Sequence, residues 1–190
     1  MATTATTTTT ARRQDGRNGN DLRPLASEQG ALFRADGSAR MSHGSSTVLA
    51  AVYGPGQARN WRSEKSDRAT VDVCFKLAKG VLIAINAVCL ALIDAGIPMV
   101  SVITASSCGI AVDGCLNLDP SLVEEEEAVA WVTTARSSTS DGVLTCITSG
   151  LLSEEQYFAC SEACQRASES VAAFFRIVQE KKHPIEPTSQ

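Results

Sequence analysis

The sequence has no apolar run long enough to cross a membrane, and Cys160 and Cys164 have no second cysteine pair that would complete a metal site. Its longest apolar run, Val81–Ile93, has 13 residues and is interrupted by Asn86, whereas a membrane-spanning helix needs about 20. The N-terminus carries repeated threonines where a secretory signal would carry an apolar segment. The seven cysteines include no Cys-x-x-Cys spacing, and His43 and His183 stand far apart. We therefore expect reduced thiols in an intracellular protein, no membrane partner and no structural zinc.

The composition is that of a folded chain with an uneven charge distribution. Hydrophobic residues make up 44% and charged residues 20% of the 190 residues, which excludes disorder throughout. Residues 1–80 carry a net charge of +5 and residues 81–190 a net charge of −9. A basic first part favours contact with a polyanion or an acidic partner. The pI of about 5.2 argues against a uniformly basic nucleic-acid-binding domain.

Composition divides the chain into three regions. Residues 1–21 are rich in Thr, Gly and Asn and have almost nothing apolar to bury, so we predict a disordered tail. Residues 22–182 have the size of one domain. Residues 183–190 are predicted to form a C-terminal tail.

Short extended segments separated by turn residues dominate the first half of the domain. Asp36-Gly37 lies between two such segments and predicts a hairpin, and a second turn is predicted at His43-Gly44. Gly54-Pro55-Gly56 predicts the end of a strand. The predicted strands are Leu32–Ala35, Ser38–Met41, Thr47–Tyr53 and Ala69–Phe75.

Two helices frame the second half. Val81–Ala95 is apolar on almost every face and is followed by Gly96, which predicts a helix buried on both sides. Ser153 and Gln156 form a capping box at the start of a long amphipathic helix that ends before Pro184. Between the helices we predict strands at Val100–Ala105, Cys108–Val112, Cys115–Leu118, Val129–Thr134 and Val143–Thr148. This order predicts an α+β domain with helices layered on mixed sheets.

Three side chains are assigned structural roles. Cys89 and Cys108 lie in apolar segments, so we expect them to fill core space as small buried thiols. Asp94 lies in the last turn of a predicted helix, where a negative charge is unfavourable. We therefore expect its carboxylate to have a hydrogen-bonding partner.

Four motifs, in the same sequence order, resemble the RNase PH-like family. The motifs are Arg23-Pro24 with Ala35–Ala39 and Val52–Pro55, the helix Ala84–Pro98, Leu118-Asp119-Pro120 with Glu124-Glu125, and Ser149-Gly150 before Leu152-Ser153-Glu154. The resemblance covers residues 23–178. It implies the RNase PH-like fold, of the ribosomal protein S5 domain 2-like class, with layered sheets and helices.

The chain departs from the family at one place. In the family, the strand matching Val71–Lys76 is followed by a helix and further strands before the central helix, whereas here only four residues separate Lys76 from Val81. We expect a helix-plus-strand unit to be missing. Alternative splicing, a gene-model error or a shortened functional variant would each explain it. The helix Val81–Ala95 should then lose part of its cover.

Active family members cleave RNA by phosphorolysis, with an arginine that holds phosphate ahead of the central helix and a pair of acidic residues. The resemblance places Val81 at the arginine position, where Lys79 is a weaker substitute without a bidentate fork. It places Glu125 and Trp131 at the two acidic positions. We therefore expect no confident catalytic residue, with Glu125 as a remnant of the acidic pair.

The acidic run Glu124–Glu127 has two interpretations. Adjacent carboxylates can bind Mg²⁺, which would support hydrolytic nuclease chemistry. Alternatively, the run is a solvated acidic loop between strands, because like charges repel and stay hydrated.

A basic loop also has two interpretations. Its cations surround Trp61, and cations with an aromatic ring suit single-stranded RNA. The interleaved Glu64 and Asp67 instead suit a solvated turn. In the family this position holds an RNA-guiding loop, so we predict RNA binding by Arg59, Arg62, Lys65 and Arg68.

The resemblance implies a non-catalytic or weakly catalytic subunit of the RNA exosome ring. The implied partners are other RNase PH-like subunits and single-stranded RNA, with no cofactor, in the nucleus, nucleolus and cytoplasm. One alternative is a homodimeric nuclease, phosphorolytic with inorganic phosphate or hydrolytic with Mg²⁺. Another is a truncated splice product with little function.

Overall fold

The computed structural model describes residues 13, 15–56, 67, 69–76, 81–139 and 142–183. The chain forms two compact units, Leu25–Val100 and Met1–Pro24 with Ser101–Gln190. Each unit contains its own antiparallel sheet covered by a helix. The predicted α+β class is therefore confirmed, although the sheets are antiparallel rather than mixed. Within the described residues, no helix is long and apolar enough to span a membrane.

The unit Leu25–Val100 has three strands under one helix. β1 (Leu25–Gln29), β2 (Gly37–His43) and β3 (Ser46–Val52) lie in that order, and α1 (Val81–Asp94) packs across β2 and β3. Residues on one face of a strand alternate with those on the other. The buried face consists of Ala39, Met41, His43, Val48 and Ala50.

The end of α1 lies very close to the start of β2. A Cβ atom at Gly37 would lie 2.5 Å from the carbonyl oxygen of Ala91, so only glycine fits under the last turn of the helix. The backbone N–H of Ser38 donates to Oδ2 of Asp94 at 2.9 Å. The predicted hydrogen-bonding partner of Asp94 is thereby confirmed.

One side of α1 is not covered by the described part of its unit. Leu90 is fully buried, whereas Val81 and Val88 are 42% and 43% exposed. Val81, Ile85, Val88 and Leu92 are spaced four, three and four residues apart, which places them along one side of a helix. We call these four residues the α1 stripe. Eight of the 14 residues of α1 are buried, so the predicted burial is confirmed except along this stripe, and the exposure there matches the expected loss of cover.

The second unit has four strands. β4 (Ile103–Ile110), β5 (Leu116–Leu118), β6 (Ala130–Ser137) and β7 (Val143–Gly150) form a sheet of order β5-β4-β6-β7. A short helix, α2 (Leu122–Glu127), links β5 to β6, and the long helix α3 (Glu154–Lys182) packs on β4, β6 and β5.

The start of α3 agrees with its prediction. Ser153 and Gln156 form the predicted capping box, in which the Gln156 N–H donates to Ser153 Oγ and the Ser153 N–H donates to Gln156 Oε1. The box satisfies backbone donors that the first turn of a helix leaves unpaired.

The core between α3 and its sheet contains three cysteines, Cys108, Cys160 and Cys164, all fully buried. Cys89 is buried in the other unit, so both predicted core thiols are confirmed. The hydrogen bond with Cys160, together with burial, raises the pKa of Cys108 far above its usual value. A thiol that stays protonated is unreactive, which suits a packing role.

Several predicted strands differ from the structure. Leu32–Ala35 is a turn, because β2 pairs with β1 rather than with this segment. The two strands predicted at Val100–Ala105 and Cys108–Val112 are one continuous strand, β4. Ala69–Phe75 does not lie in a strand. The predicted turn at His43-Gly44 is present between β2 and β3.

Candidate functional site

The predicted RNA-binding residues lie outside the described residues. These are Arg59, Arg62, Lys65 and Arg68. Their role in RNA binding stays a prediction.

The acidic run forms a helix rather than the predicted loop. In α2, Ser121 is the N-cap: its Oγ accepts from the Glu124 N–H at 3.3 Å, and its own N–H donates to Glu124 Oε2 at 2.7 Å. The sequence signal for this helix was present, because Ser followed by Glu three residues later is a capping box. Negative side chains in a first turn are also favoured by the helix dipole.

A second carboxylate, Asp119, is buried just before α2. Its side chain is 1% exposed and its backbone is in the left-handed region, with φ of 50°. Three donors from Arg23 reach it: the backbone N–H at 2.8 Å and Nε at 3.0 Å to Oδ2, and Nη2 at 2.7 Å to Oδ1. A bidentate pair of this kind is stronger than a neutral hydrogen bond and fixes the orientation of both groups.

Arg13 connects the N-terminal segment to both carboxylate residues. Its Nε donates to Glu124 Oε1 at 2.7 Å, and its Nη2 also pairs with Glu124 Oε2. Its Nη1 and Nη2 donate to the carbonyl oxygens of Leu118 at 2.6 Å and Asp119 at 3.0 Å. The Arg13 side chain is 2% exposed. The prediction of a disordered tail over residues 1–21 is thus wrong at Arg13.

Arg17 adds a third guanidinium beside the same carboxylates. Its Nη1 donates to the carbonyl oxygen of Asp21 at 2.9 Å, and its Nε donates to Asp15 Oδ2 at 2.5 Å. It lies 3.9 Å from Asp119 Oδ2 and 3.9 Å from Glu124 Oε2. We call Arg13, Arg17, Arg23, Asp119 and Glu124 the arginine–carboxylate cluster.

The electrostatics of this cluster favour the charged carboxylate of Glu124. The hydrogen bond from Arg13, with help from the backbone N–H of Ser121, lowers the pKa of Glu124 to about 2. A carboxylate with so low a pKa is a weak base at neutral pH. Guanidinium groups already contact the oxygens of Glu124 and Asp119. The cluster therefore anchors the N-terminal segment rather than performing acid–base catalysis.

Sequence reasoning missed this cluster. The polar stretch around Arg13 and Arg17 offers nothing apolar to bury, and burial of a guanidinium depends on carboxylates and carbonyls about a hundred residues away. The one available signal was the change from threonines to alternating Arg and Asp after residue 11.

The positions matched to the family's catalytic residues do not form a charged set. Val81 is the first residue of α1, in the unit Leu25–Val100. Glu125 lies in the first turn of α2, and Trp131 lies in β6 opposite Gly109 and Ser149. Lys79 lies outside the described residues. Only Glu125 of the three described positions carries charge.

The acidic run also lacks a convergent metal site. In the described part of the chain, no group of three or more His, Cys, Asp or Glu side chains is placed to hold a metal ion. Glu124 is turned toward Arg13, so its carboxylate is already paired with a guanidinium.

Comparison with known proteins gives a family match. Residues 21–81 match the model of the 3′ exoribonuclease family, domain 1. The Arabidopsis thaliana protein named "Exosome complex exonuclease RRP46 homolog" is 34% identical, over 86% of this chain and 94% of its own length. That alignment spans 225 positions but covers only about 163 residues of this chain, so about 60 positions have no residue here. This gap supports the predicted missing internal unit.

Solved structures give the same fold. The crystal structure of rice (Oryza sativa) Rrp46 superposes with a TM-score of 0.79 at 32% identity, covering 86% of this chain and 98% of the rice chain. A chain of the archaeal exosome core superposes with a TM-score of 0.71 at 17% identity, covering 87% and 91%. At that lower identity the likeness concerns the fold alone.

Proposed function

Because this chain belongs to the RNase PH-like 3′ exoribonuclease family, we propose that it is a ring subunit of an RNA exosome. In that role it takes part in 3′-to-5′ RNA processing and decay, including ribosomal RNA maturation and messenger RNA turnover. The observation that carries the proposal is the likeness to Rrp46 homologues over 94% of the Arabidopsis relative. Fold alone would not support a function.

We also propose that this subunit does not itself cleave RNA. Phosphorolysis needs a cation that holds phosphate beside an already negative RNA backbone. Val81 is apolar at the position matched to the family's arginine. Trp131 is uncharged at the position matched to the second acidic residue. Glu125 alone cannot replace the phosphate-binding arginine and the pair of acidic residues. No cofactor is needed for a subunit that only holds and guides RNA.

The proposed partners are other RNase PH-like exosome subunits and single-stranded RNA. The basic loop supports the RNA contact, because Trp61 lies among its four cations. The proposed locations are the nucleus, the nucleolus and the cytoplasm.

A truncated product with little function is the second candidate, and one observation favours it. Val81 and Val88 of the α1 stripe are exposed, and about 60 positions of the alignment with the Arabidopsis relative have no residue in this chain. Exposed apolar surface of this kind promotes aggregation.

Reconstitution of a ring tests the proposal. We expect this chain, co-expressed with the other RNase PH-like subunits of its source organism, to co-elute with them at the size of the full ring. We expect Arg59, Arg62 and Arg68 changed together to Ala to leave assembly intact but weaken RNA binding. The salt dependence of binding should also become shallower, because a protein that makes fewer phosphate contacts releases fewer counterions on binding.

The matched control is the same chain with the missing segment of the Arabidopsis relative inserted between Lys76 and Val81. If only this restored chain enters the ring, the truncated-product candidate is correct. An unchanged salt dependence in the triple variant would show that the basic loop is a solvated turn that does not contact RNA.

A further inference from the structure

The connection between β1 and β2 carries a fully exposed aromatic residue. The backbone N–H of Ala35 donates to the carbonyl oxygen of Leu32 at 3.3 Å, which closes a turn with Phe33 and Arg34 as its two central residues. Phe33 is fully exposed, and Arg34 is exposed beside it. The ring of Phe33 therefore lies outside the core, with both of its faces open to solvent.

A second exposed aromatic residue lies at the same end of this sheet. Asp36 joins the turn to the end of β3: its N–H donates to the carbonyl oxygen of Val52 at 3.0 Å, and its Oδ2 accepts from the Gly54 N–H at 2.7 Å. Tyr53 lies between these two residues and is 70% exposed. The hydrogen bonds of Asp36 thus hold the turn next to Tyr53. We call Phe33, Arg34 and Tyr53 the turn patch.

The side chains of the turn patch have no partner among the described residues. Neither aromatic ring stacks on another ring. The guanidinium of Arg34 forms no ion pair with a described carboxylate. Two open ring faces and an unpaired cation are thus present at one end of the sheet, and a ligand can use all three.

The chemistry of the turn patch suits single-stranded RNA. Unpaired bases stack on aromatic side chains, and arginine binds the phosphates between them. The nearest carboxylate, that of Asp36, already accepts from a backbone N–H. The chain continues from Tyr53 to Arg59, the first cation of the basic loop, within six residues, and residues 1–80 carry a net charge of +5. A polyanion with exposed base faces therefore matches this end of the sheet.

We propose that the turn patch is a second contact for single-stranded RNA, in which bases stack on Phe33 and Tyr53 and a phosphate binds Arg34. The proposal rests on the proposed role of this chain in RNA binding, and it adds a contact that is separate from the basic loop. Because every base has a face that can stack, the contact tolerates any RNA sequence.

Fluorescence anisotropy of the reconstituted ring with a labelled single-stranded RNA tests this contact. The RNA should be longer than the roughly 4–16 nucleotides that one single-strand-binding fold covers. Phe33→Ala with Tyr53→Ala should weaken binding by about fivefold or more, with an unchanged salt dependence, because stacking releases no counterions. Arg34→Gln should weaken binding and make the salt dependence shallower by about one phosphate contact.

Three controls separate stacking from a general effect on the protein. Phe33→Tyr with Tyr53→Phe keeps both rings and should bind as tightly as wild type. Phe158→Ala removes an exposed aromatic side chain from α3 and should leave binding unchanged. A duplex of the same RNA should bind equally to the wild-type and double-alanine rings, because its bases are already stacked on each other.

The outcomes distinguish this contact from the proposed function. Equal affinity of the wild-type and double-alanine rings for the single-stranded RNA would overturn the contact and leave the ring function standing. A double-alanine chain with the wild-type unfolding temperature that no longer enters the ring would also overturn it, by showing that the turn patch contacts a neighbouring subunit. A wild-type ring that binds no single-stranded RNA would overturn both this contact and the proposed guiding of RNA.

Discussion

At the scale of single residues, buried guanidinium–carboxylate contacts determine where the N-terminal segment lies. Arg13 donates to Glu124 and to the carbonyl oxygens of Leu118 and Asp119, and Arg23 donates to the carboxylate of Asp119. Removing one partner of a buried ion pair leaves the other charge unpaired, which costs more than the pair itself contributes. These contacts are therefore expected to make the segment part of the folded unit.

We predict that Glu124→Gln destabilises the protein by about 1–3 kcal/mol at pH 7. The pKa of Glu124 is lowered to about 2 in the folded protein. Its contribution to stability is therefore complete above its ordinary pKa of 4.5 and falls as the pH drops toward 2. Urea unfolding of wild type and variant between pH 7 and pH 3 should show the two free energies of unfolding converging in acid.

The control for this measurement is Glu127→Gln, which removes the same charge from the exposed end of the same helix. Surface changes of this kind usually alter stability by less than about 0.5 kcal/mol. Equal effects at Glu124 and Glu127, or a difference that does not shrink in acid, would show that the Arg13 contact contributes no stability.

At the scale of elements, α1 shows what the shortened chain leaves exposed. Leu82, Ala87 and Leu90 of this helix are buried, while Val81 and Val88 of the α1 stripe remain exposed. Burial of apolar surface contributes about 25 cal/mol per Å². A domain whose net stability is about 5–15 kcal/mol loses a substantial share when one side of a helix is uncovered.

We therefore predict that the isolated chain is marginally stable and binds an apolar dye, and that the α1 stripe is a main binding surface. Val81→Gln with Val88→Gln should reduce dye fluorescence and aggregation, while changing the free energy of unfolding by less than about 0.5 kcal/mol. Leu90→Ala, on the buried side, is the control and should cost about 2–5 kcal/mol. A sharp, reversible unfolding transition of a monomer without dye binding would contradict this view of α1.

Elements with local signals could be predicted from the sequence, and elements that depend on distant partners could not. The caps and periodicity of α3 and the turn after α1 are encoded within a few residues. By contrast, Leu32–Ala35 has strand-like residues, but β1 occupies the edge of β2. Ala69–Phe75 also has a strand pattern, but a strand forms only when a neighbouring strand is present. The short α2 was missed because its acidic run was interpreted as a loop.

At the scale of the whole molecule, the family could be identified from four ordered motifs, but the arginine–carboxylate cluster could not. The motifs are contiguous in sequence, whereas Arg13 and Glu124 come together only through the fold. The fold is retained although about 60 aligned positions are missing. We propose that this chain keeps the architecture of its family without the family's phosphorolytic chemistry.

The most direct test of this claim is a phosphorolysis assay of the purified chain. A 3′-labelled single-stranded RNA is incubated in phosphate buffer, and released nucleoside diphosphates are measured, with an active RNase PH enzyme as positive control. Our account predicts no release above background, because Val81 and Trp131 stand where phosphate and acid–base groups are required. Release of nucleoside diphosphates that disappears in the Glu125→Gln variant would contradict it and identify the chain as a phosphorolytic enzyme.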